Sequence, residues 1–281
     1  MKTPKIYLTY LLMIGVSMVS CGQTAKNEER PLPLAPTKIE NTVQSRFSPP
    51  SGFVRTAADT NSFADYLRNL PLKPQGSKVK YHDGSIKNAN VHEAVVDMEI
   101  STNDLQQCAD AVMRLRGEYF YSIKAFDTIS FTLTNGFKMD YSEWMKGNRV
   151  AVNGNSTNWV KKAEPSNTYK DFRNYMEFVF MYAGTISLSK SLHSKSMKDI
   201  APGDVFIKGG SPGHAVIVVD VAENSNQEKV FLIAQSYMPA QEIEILKNYN
   251  SHSLSPWYSA DAIEQLITPQ WVFSTNQLKT W

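Results

Sequence analysis

Three residues of the chain have types suited to nucleophilic catalysis: Cys108, His214 and Gln235. A cysteine attacks as its thiolate, and both a helix N-terminus and a neighbouring imidazolium lower the pKa of a thiol. A histidine that takes up the thiol proton needs a third group to hold its ring. The amide of Gln235 can accept a hydrogen bond from one ring nitrogen, which leaves the other nitrogen for sulfur. The sequence therefore predicts Cys108 as nucleophile, His214 as general base and Gln235 as the orienting residue, with a backbone amide near Cys108 binding the oxyanion.

Cys108 and His214 also have purely structural interpretations. Cys108 lies on an apolar stripe with Val112 and Leu115, which is typical of an inert core cysteine. His214 follows the glycine-rich segment 209–213, and its ring can simply cap that turn. The sequence leaves both interpretations open, and the reactivity of the thiol would separate them.

The helix that carries Cys108 is predicted by apolar residues at helical spacing over 105–122. Ser101 or Thr102 is a suitable N-cap. A start there places Cys108 in the second turn, where the influence of the helix dipole has faded. Activation of the thiol requires a later start, near Gln106.

The last third of the chain is rich in predicted strands, at 204–208, 215–221, 230–237 and 242–246. Residues 215–221 are apolar on both faces, which indicates an interior strand. A hairpin is predicted at Asn135-Gly136, and a central helix over 172–182. Residues 142–168 are expected to be irregular, and a short helix is expected near 260–267. These elements predict an α+β fold with helices packed on a late antiparallel sheet.

The segment Pro202–Phe206, followed by Gly213–Val218, resembles papain-like cysteine peptidases, in particular the NlpC-type and CHAP-type enzymes that trim bacterial cell walls. In those families a helix opens with the cysteine, the histidine begins a strand after a Gly-Asp strand, and a polar residue follows on the next strand. The resemblance implies a papain-like fold and a peptidase or amidase that acts on peptidoglycan peptides. The alternative is a non-catalytic envelope protein that binds peptide or glycan in the same cleft.

A wider resemblance covers nearly the whole folded part of the chain. The segments LQQCADAVMRLRGEY, TNGF, YAGTISL, GDVFIKGGSPGHAVIVVD and AQSYMPAQ are similar to a family of exported bacterial proteins known as a domain of unknown function. This resemblance implies a fold and an exported location, and it implies no established activity.

The N-terminus has the composition of an export signal. Lys2 and Lys5 precede an apolar stretch at 6–16 that is too short to span a bilayer, and Ser20 stands before Cys21. Bacterial lipoprotein signals end in this way, with a small residue before a cysteine whose thiol is acylated. The alternative is an ordinary signal peptide in which Cys21 stands by chance.

The expected organisation is a signal peptide at 1–20, a lipidated tether at 21–52 and a single α+β domain at 53–281. Lipid on Cys21 would hold the protein at a membrane of the cell envelope. No acidic run follows Cys21 directly, which favours the periplasm-facing side of the outer membrane. Because Cys21 and Cys108 are the two cysteines of the chain, lipidation leaves Cys108 with no partner for an internal disulfide.

Composition argues against several other functions. The chain has 29 basic and 27 acidic residues without a basic stripe, so nucleic-acid binding is not expected. The five histidines lack the paired spacing of a metal site, and no glycine-rich loop precedes a helix as in phosphate sites. We therefore expect no metal and no cofactor. Asp204 and Asp220 are expected to contact solvent at strand ends.

Overall fold

The structure, a computed structural model, describes residues 41–261 and 263–281. The expected signal peptide, the lipidation site Cys21 and most of the expected tether lie outside the described residues. Six α-helices lie in the described part: α1 (Val43–Arg46), α2 (Phe63–Arg68), α3 (Cys108–Ser122), α4 (Tyr141–Met145), α5 (Tyr169–Tyr182) and α6 (Thr185–Ser191). Short 3-10 turns cover Phe126–Thr128, Met197–Asp199 and Thr275–Gln277.

Fifteen strands accompany these helices in the same residues: β1 (Val54–Arg55), β2 (His92–Val95), β3 (Ser130–Thr132), β4 (Lys138–Asp140), β5 (Asn148–Asn153), β6 (Ser156–Lys161), β7 (His193–Ser194), β8 (Val205–Lys208), β9 (His214–Glu223), β10 (Lys229–Gln235), β11 (Glu244–Leu246), β12 (Tyr258–Ser259), β13 (Gln265–Ile267), β14 (Val272–Ser274) and β15 (Leu278–Thr280). Nine of them form one antiparallel sheet in the order β2-β11-β10-β9-β8-β15-β7, with β1 beside β9 and β12 beside β10. The pairs β3–β4, β5–β6 and β13–β14 are separate hairpins. The predicted α+β class is confirmed.

Strand β9 lies at the centre of the sheet and is buried on both faces, as its apolar sequence predicts. Ala215, Ile217 and Val219 belong to the helix-side core, which also contains Val112 of α3 and Phe172 of α5. The alternate residues of β9 belong to a second cluster, the outer core, which is completed by residues of the β13–β14 hairpin and β15. The sheet therefore separates two cores, and its helix-side face receives α3.

Helix α3 begins at Cys108, later than the expected start at Ser101 or Thr102. Oδ2 of Asp110 accepts the backbone N–H of Gln107 at 3.0 Å, which fixes the first turn. The preceding segment follows a different path, because Asp104 Oδ1 accepts the backbone N–H of Ala240 at 2.7 Å. Cys108 is consequently the first residue of the helix, in the place that activation by the helix dipole requires.

The domain starts earlier than the expected residue 53. Val43 in α1 is fully buried, and the Phe47 side chain also lies in the helix-side core. Trp257 Nε1 donates to the carbonyl oxygen of Ser48 at 3.0 Å. The polar composition around these residues suggested a tether, but two apolar side chains and several hydrogen bonds, such as that from Val43 N–H to the Leu70 carbonyl, hold residues 42–48 on the domain.

Two other expectations are corrected by the structure. Residues 142–168 contain the end of α4 and the hairpin β5–β6, whose two strands have six residues each. The mixed exposure of their side chains conceals the strand alternation. The helix expected near 260–267 is absent from the described residues there, because β13 pairs with β14 and buries Leu266 against the outer core.

Asp220 does not contact solvent at a strand end. It is fully buried in β9, and each of its carboxylate oxygens lies 2.6 Å from an arginine Nε, of Arg55 and Arg68 respectively. The two ion pairs join β1 and α2 to the central strand. Asp204 is also buried, with Lys195 Nζ at 2.8 Å.

Candidate active site

Cys108 lies at the N-terminus of α3 with its side chain almost out of solvent, at 6% exposure. The backbone N–H of Ala215, the residue after His214 on β9, is directed at its sulfur. Burial raises the pKa of the Cys108 thiol to about 11, and the N–H of Ala215 opposes this rise only in part. The thiol is therefore protonated at neutral pH.

His214 is placed by the glycine-rich turn between β8 and β9. A Cβ atom on Gly213 would lie 2.5 Å from both the carbonyl oxygen of Gly210 and Oγ1 of Thr185. No side chain fits at this point of the turn, so glycine brings the chain against α6 and then directly into β9. The turn thereby fixes the backbone from which the imidazole projects.

The imidazole of His214 is enclosed by three aromatic rings. The ring centroids of Tyr237, Trp271 and Phe273 lie 5.0, 5.3 and 5.8 Å from that of His214. The residue is only 2% exposed. Burial lowers the pKa of His214 to about 4, although its hydrogen bond to Gln235 acts in the opposite direction. The imidazole is therefore uncharged at neutral pH.

Gln235 makes the contact that the hairpin β9–β10 predicted. Its Oε1 lies 2.8 Å from Nε2 of His214. Its Nε2 donates to Oε1 of Glu244 at 3.0 Å and to Oε1 of Gln270 at 2.7 Å. Both ends of the amide are thus engaged, and the orienting residue is itself held from behind.

A buried ion pair stands behind Gln235. Lys87 Nζ lies 2.6 Å from Oε1 of Glu244, with both side chains almost fully buried. Lys87 also donates to Oε1 of Gln270 at 3.0 Å, and Gln241 Nε2 donates to Oε1 of Glu244 at 3.0 Å. A lysine and a glutamate on different segments therefore form a polar cluster that ends at His214.

The structure does not contain the charged pair of thiolate and imidazolium that the sequence argument invoked. Among the described residues, no direct hydrogen bond joins the sulfur of Cys108 to the imidazole of His214. Both groups are neutral, because burial disfavours the charged form of each. Tyr237 lies near both groups: its ring contacts His214, and its pKa is raised by burial and by the charge of a Cys108 thiolate.

A cleft of about 290 Å³ opens beside Cys108. Its walls come from the start of α3, the end of α5 and the start of α6, and from the turn before His214. Met181 and Met238 line it and are each 54% exposed. Asp110 also lines it, and burial raises the pKa of this carboxyl to about 8. Asp110 Oδ1 has no hydrogen-bond partner in the described residues.

Several residues of this site were missed by reasoning from the sequence: Lys87, Asp110, Tyr237, Glu244 and Gln270. Glu244 alternates with Ile243 and Ile245, a pattern that normally indicates an exposed strand face. The strand β11 is instead buried on both faces. The only available signal was the presence of an acidic residue in a strand next to an interior strand of the sheet.

In residues 41–261 and 263–281, no group of three or more His, Cys, Asp or Glu side chains could hold a metal ion. Within the same residues, no helix has the length and apolar character needed to cross a membrane.

Fold and site together describe an α+β protein in which a cysteine at a helix N-terminus meets the start of a histidine-led central strand. The chain belongs to the family described as domain of unknown function 4846, whose model matches residues 43–280. No curated protein and no solved structure matches the chain.

Proposed function

We propose that the protein is a papain-like cysteine amidohydrolase or peptidase that acts on peptides of the cell envelope. One observation carries the proposal: the sulfur at the first residue of α3 meets the backbone of Ala215, next to a histidine whose far nitrogen is bound to Gln235. In the proposed mechanism these residues supply a nucleophile, a base and an orienting group. Cys108, His214 and Gln235 take these three roles.

The reaction proceeds through two acyl-transfer steps. The Cys108 sulfur attacks the carbonyl carbon of the substrate while its proton passes to Nδ1 of His214. The imidazolium then gives this proton to the leaving amine, and the C–N bond breaks to leave a thioester on Cys108. Water, deprotonated by His214, hydrolyses the thioester and restores the thiol. The first N–H groups of α3 have no partner within the helix and are available to the oxyanion.

Proton transfer must accompany the attack, because burial keeps both the thiol and the imidazole neutral in the unliganded site. Such a transfer needs hydrogen-bond contact between sulfur and Nδ1. Contacts of this kind are often long in unliganded enzymes and shorten when substrate binds. We therefore propose that substrate in the cleft brings Cys108 and His214 together.

Peptidoglycan peptide is the proposed substrate class. The cleft beside Cys108 is open and of a volume suited to a few residues of an extended peptide. The exposed Met181 and Met238 offer apolar contacts on its walls. The resemblance of 202–218 to cell-wall hydrolases supports the same class.

The proposal includes a location at the envelope. A lipid on Cys21 would anchor the protein, on the periplasm-facing side of the outer membrane. Lys2, Lys5 and the apolar stretch before Ser20 support this location. Substitution Cys21→Ser should release the protein from the membrane fraction, and retention of the variant there would contradict the anchor.

The activity is tested with purified peptidoglycan and its soluble muropeptides, analysed by chromatography and mass spectrometry. We expect the wild type to release fragments cut at an amide bond, and Cys108→Ala to release none. The stability of the variant should fall by only about 1 kcal/mol, the effect of one buried sulfur. If the wild type cuts no peptidoglycan and Cys108→Ala loses several kcal/mol of unfolding free energy, the core interpretation of Cys108 is favoured.

A second candidate function is that of a non-catalytic envelope protein that binds peptide or glycan in the same cleft. The neutral thiol favours it, as does the lack of a hydrogen bond between Cys108 and His214, both of which lie in the described residues. This candidate predicts that muropeptides bind without being cut, and that Cys108→Ala binds them as tightly as the wild type.

A further inference from the structure

The amide of Gln235 is held in one orientation by groups that lie away from the candidate catalytic pair. Its Nε2 has two hydrogens, and the structure assigns an acceptor to each: Oε1 of Glu244 at 3.0 Å and Oε1 of Gln270 at 2.7 Å. A carboxylate can only accept hydrogen bonds. The nitrogen of the Gln235 amide must therefore face Glu244, and its oxygen must face His214.

This orientation determines which nitrogen of His214 carries the proton. Oε1 of Gln235 is an acceptor and lies 2.8 Å from Nε2 of the imidazole. A neutral imidazole that makes this bond has its hydrogen on Nε2 and a lone pair on Nδ1. The Nδ1–H tautomer would place the lone pair of His214 Nε2 against a lone pair of Gln235 Oε1. Turning the Gln235 amide would relieve this repulsion, but it would set the amide oxygen against the Glu244 carboxylate.

Lys87 keeps the two acceptors in place. Its Nζ lies 2.6 Å from Oε1 of Glu244 and 3.0 Å from Oε1 of Gln270. Both contacts require oxygen, so Gln270 presents its oxygen to Gln235 as well. Lys87, Glu244 and Gln235 are all buried, and water cannot replace these bonds easily.

We propose that Glu244 is a positioning residue that acts through Gln235 to hold His214 as its Nε2–H tautomer, with Nδ1 ready to accept the proton of Cys108. Glu244 does not line the cleft, and it reaches His214 through the amide of Gln235. Its other hydrogen-bond partners, Lys87 and Gln241, donate to the same oxygen, Oε1. The role of this arrangement in catalysis rests on the proposed function, whereas the tautomer of His214 follows from the hydrogen bonds alone.

The test uses the full chain with ¹⁵N-labelled histidine. Long-range proton–nitrogen correlations at pH 7 report the tautomer of each neutral imidazole, and the signals lost in His214→Gln identify His214. Glu244→Met removes the acceptor altogether, because a glutamine there would still present its oxygen to both Lys87 and Gln235. The double variant Lys87→Met with Glu244→Met makes the same change without leaving an unpaired buried lysine.

Glu242→Met is the matched control. Glu242 is also an acidic residue paired with a lysine, at 2.5 Å from Nζ of Lys73, and it does not contact Gln235. Its substitution makes the same chemical change two residues away. The tautomer of His214 should remain that of the wild type in this control.

We expect the wild type to hold His214 almost wholly as Nε2–H. In the Glu244 variants the ratio of Nε2–H to Nδ1–H should fall about tenfold, the effect of one net hydrogen bond. Where one Glu244 variant does not fold, the other carries the measurement.

Two results would overturn the inference: a wild-type His214 protonated on Nδ1, or an unchanged tautomer in a folded Glu244 variant. The proposed function fails differently, by absence of hydrolysis in the wild type. A shifted tautomer without any hydrolysis would uphold Glu244 as a positioning residue and reject the enzyme. Hydrolysis with an unchanged tautomer would uphold the enzyme and reject Glu244 as a positioning residue.

Discussion

The Oε1 of Gln235 lies 2.8 Å from Nε2 of His214, and this bond leaves Nδ1 as the one ring nitrogen that can serve Cys108. The sulfur of Cys108 already lies at the backbone of the next residue, Ala215. In the proposed mechanism, activity therefore depends on two properties: how readily the buried thiol loses its proton, and how firmly the start of β9 is held.

The reactivity of Cys108 should rise steeply with pH. Burial raises the pKa of its thiol to about 11, so the thiolate fraction below that pH increases about tenfold per pH unit. Alkylation of Cys108 by iodoacetamide should follow this slope from pH 7 to pH 10, as read by mass spectrometry of the peptide that contains it. The urea-unfolded chain is the control, and its alkylation rate should be half-maximal near pH 8.5 to 9. A plateau below pH 7 in the folded protein would show a preformed thiolate and contradict the neutral pair.

Asp110→Asn should become increasingly stabilising as pH rises. Burial raises the pKa of Asp110 to about 8 from its ordinary 3.8, so the folded protein keeps a proton that the unfolded chain releases. The contribution of this group to stability is full in acid and is lost as pH rises from about 4 to 8. Asparagine stays neutral and avoids that loss. At pH 9 the unfolding free energy of Asp110→Asn should therefore exceed that of the wild type by up to about 5 kcal/mol.

The measurement for Asp110→Asn is urea unfolding at several values between pH 4 and 9. The exposed Asp127→Asn is the control, and its small effect should not vary with pH. An advantage of Asp110→Asn that is the same at every pH would mean that Asp110 is ionised in the folded protein.

Gly213→Ala should disturb the start of β9. The new Cβ would lie 2.5 Å from the carbonyl oxygen of Gly210, which is backbone and cannot turn aside. We expect a loss of about 1–3 kcal/mol in unfolding free energy, as for overpacked sites, together with faster alkylation of Cys108 as the cleft loosens. Gly184→Ala provides the control, since nothing lies within 4 Å of its added Cβ. Equal effects of the two substitutions would refute the close fit at Gly213.

Asp220→Ala should destabilise the domain strongly. The substitution leaves the guanidinium groups of Arg55 and Arg68 without their shared carboxylate, and loss of one partner of a buried ion pair costs about 3–5 kcal/mol. Equilibrium unfolding in urea measures this loss. The exposed Asp199→Ala should change the free energy of unfolding by no more than about 0.5 kcal/mol. A loss below about 1 kcal/mol for Asp220→Ala would mean that the guanidinium groups of Arg55 and Arg68 are hydrated in the folded state.

Local patterns were sufficient to predict the parts of the fold that are set by neighbouring residues. Apolar residues on both faces identified β9, and the spacing of β9 and β10 brought Gln235 diagonal to His214. The helix α3 was predicted from its apolar stripe, but its start was not. That start depends on Asp104 bonding to Ala240, a contact across 136 residues that no local pattern contains.

The polar groups behind His214 could not be predicted for a related reason. Lys87, Glu244 and Gln270 come from three separate segments, and each has an ordinary exposed-looking neighbourhood in the sequence. Only the folded sheet brings them together in the interior. The same holds for the pKa values of Cys108 and His214, since burial by Tyr237, Trp271 and other distant side chains sets their protonation.

A thioester on Cys108 is the most direct test of the central claim. The wild type is mixed with muropeptide, quenched in acid within the first turnovers, and digested for mass spectrometry of the peptide that contains Cys108. We expect that peptide to gain the mass of the acyl fragment in the wild type and not in Cys108→Ala. Release of product while Cys108 remains unmodified, or at an equal rate in Cys108→Ala, would contradict the assignment of Cys108 as the nucleophile.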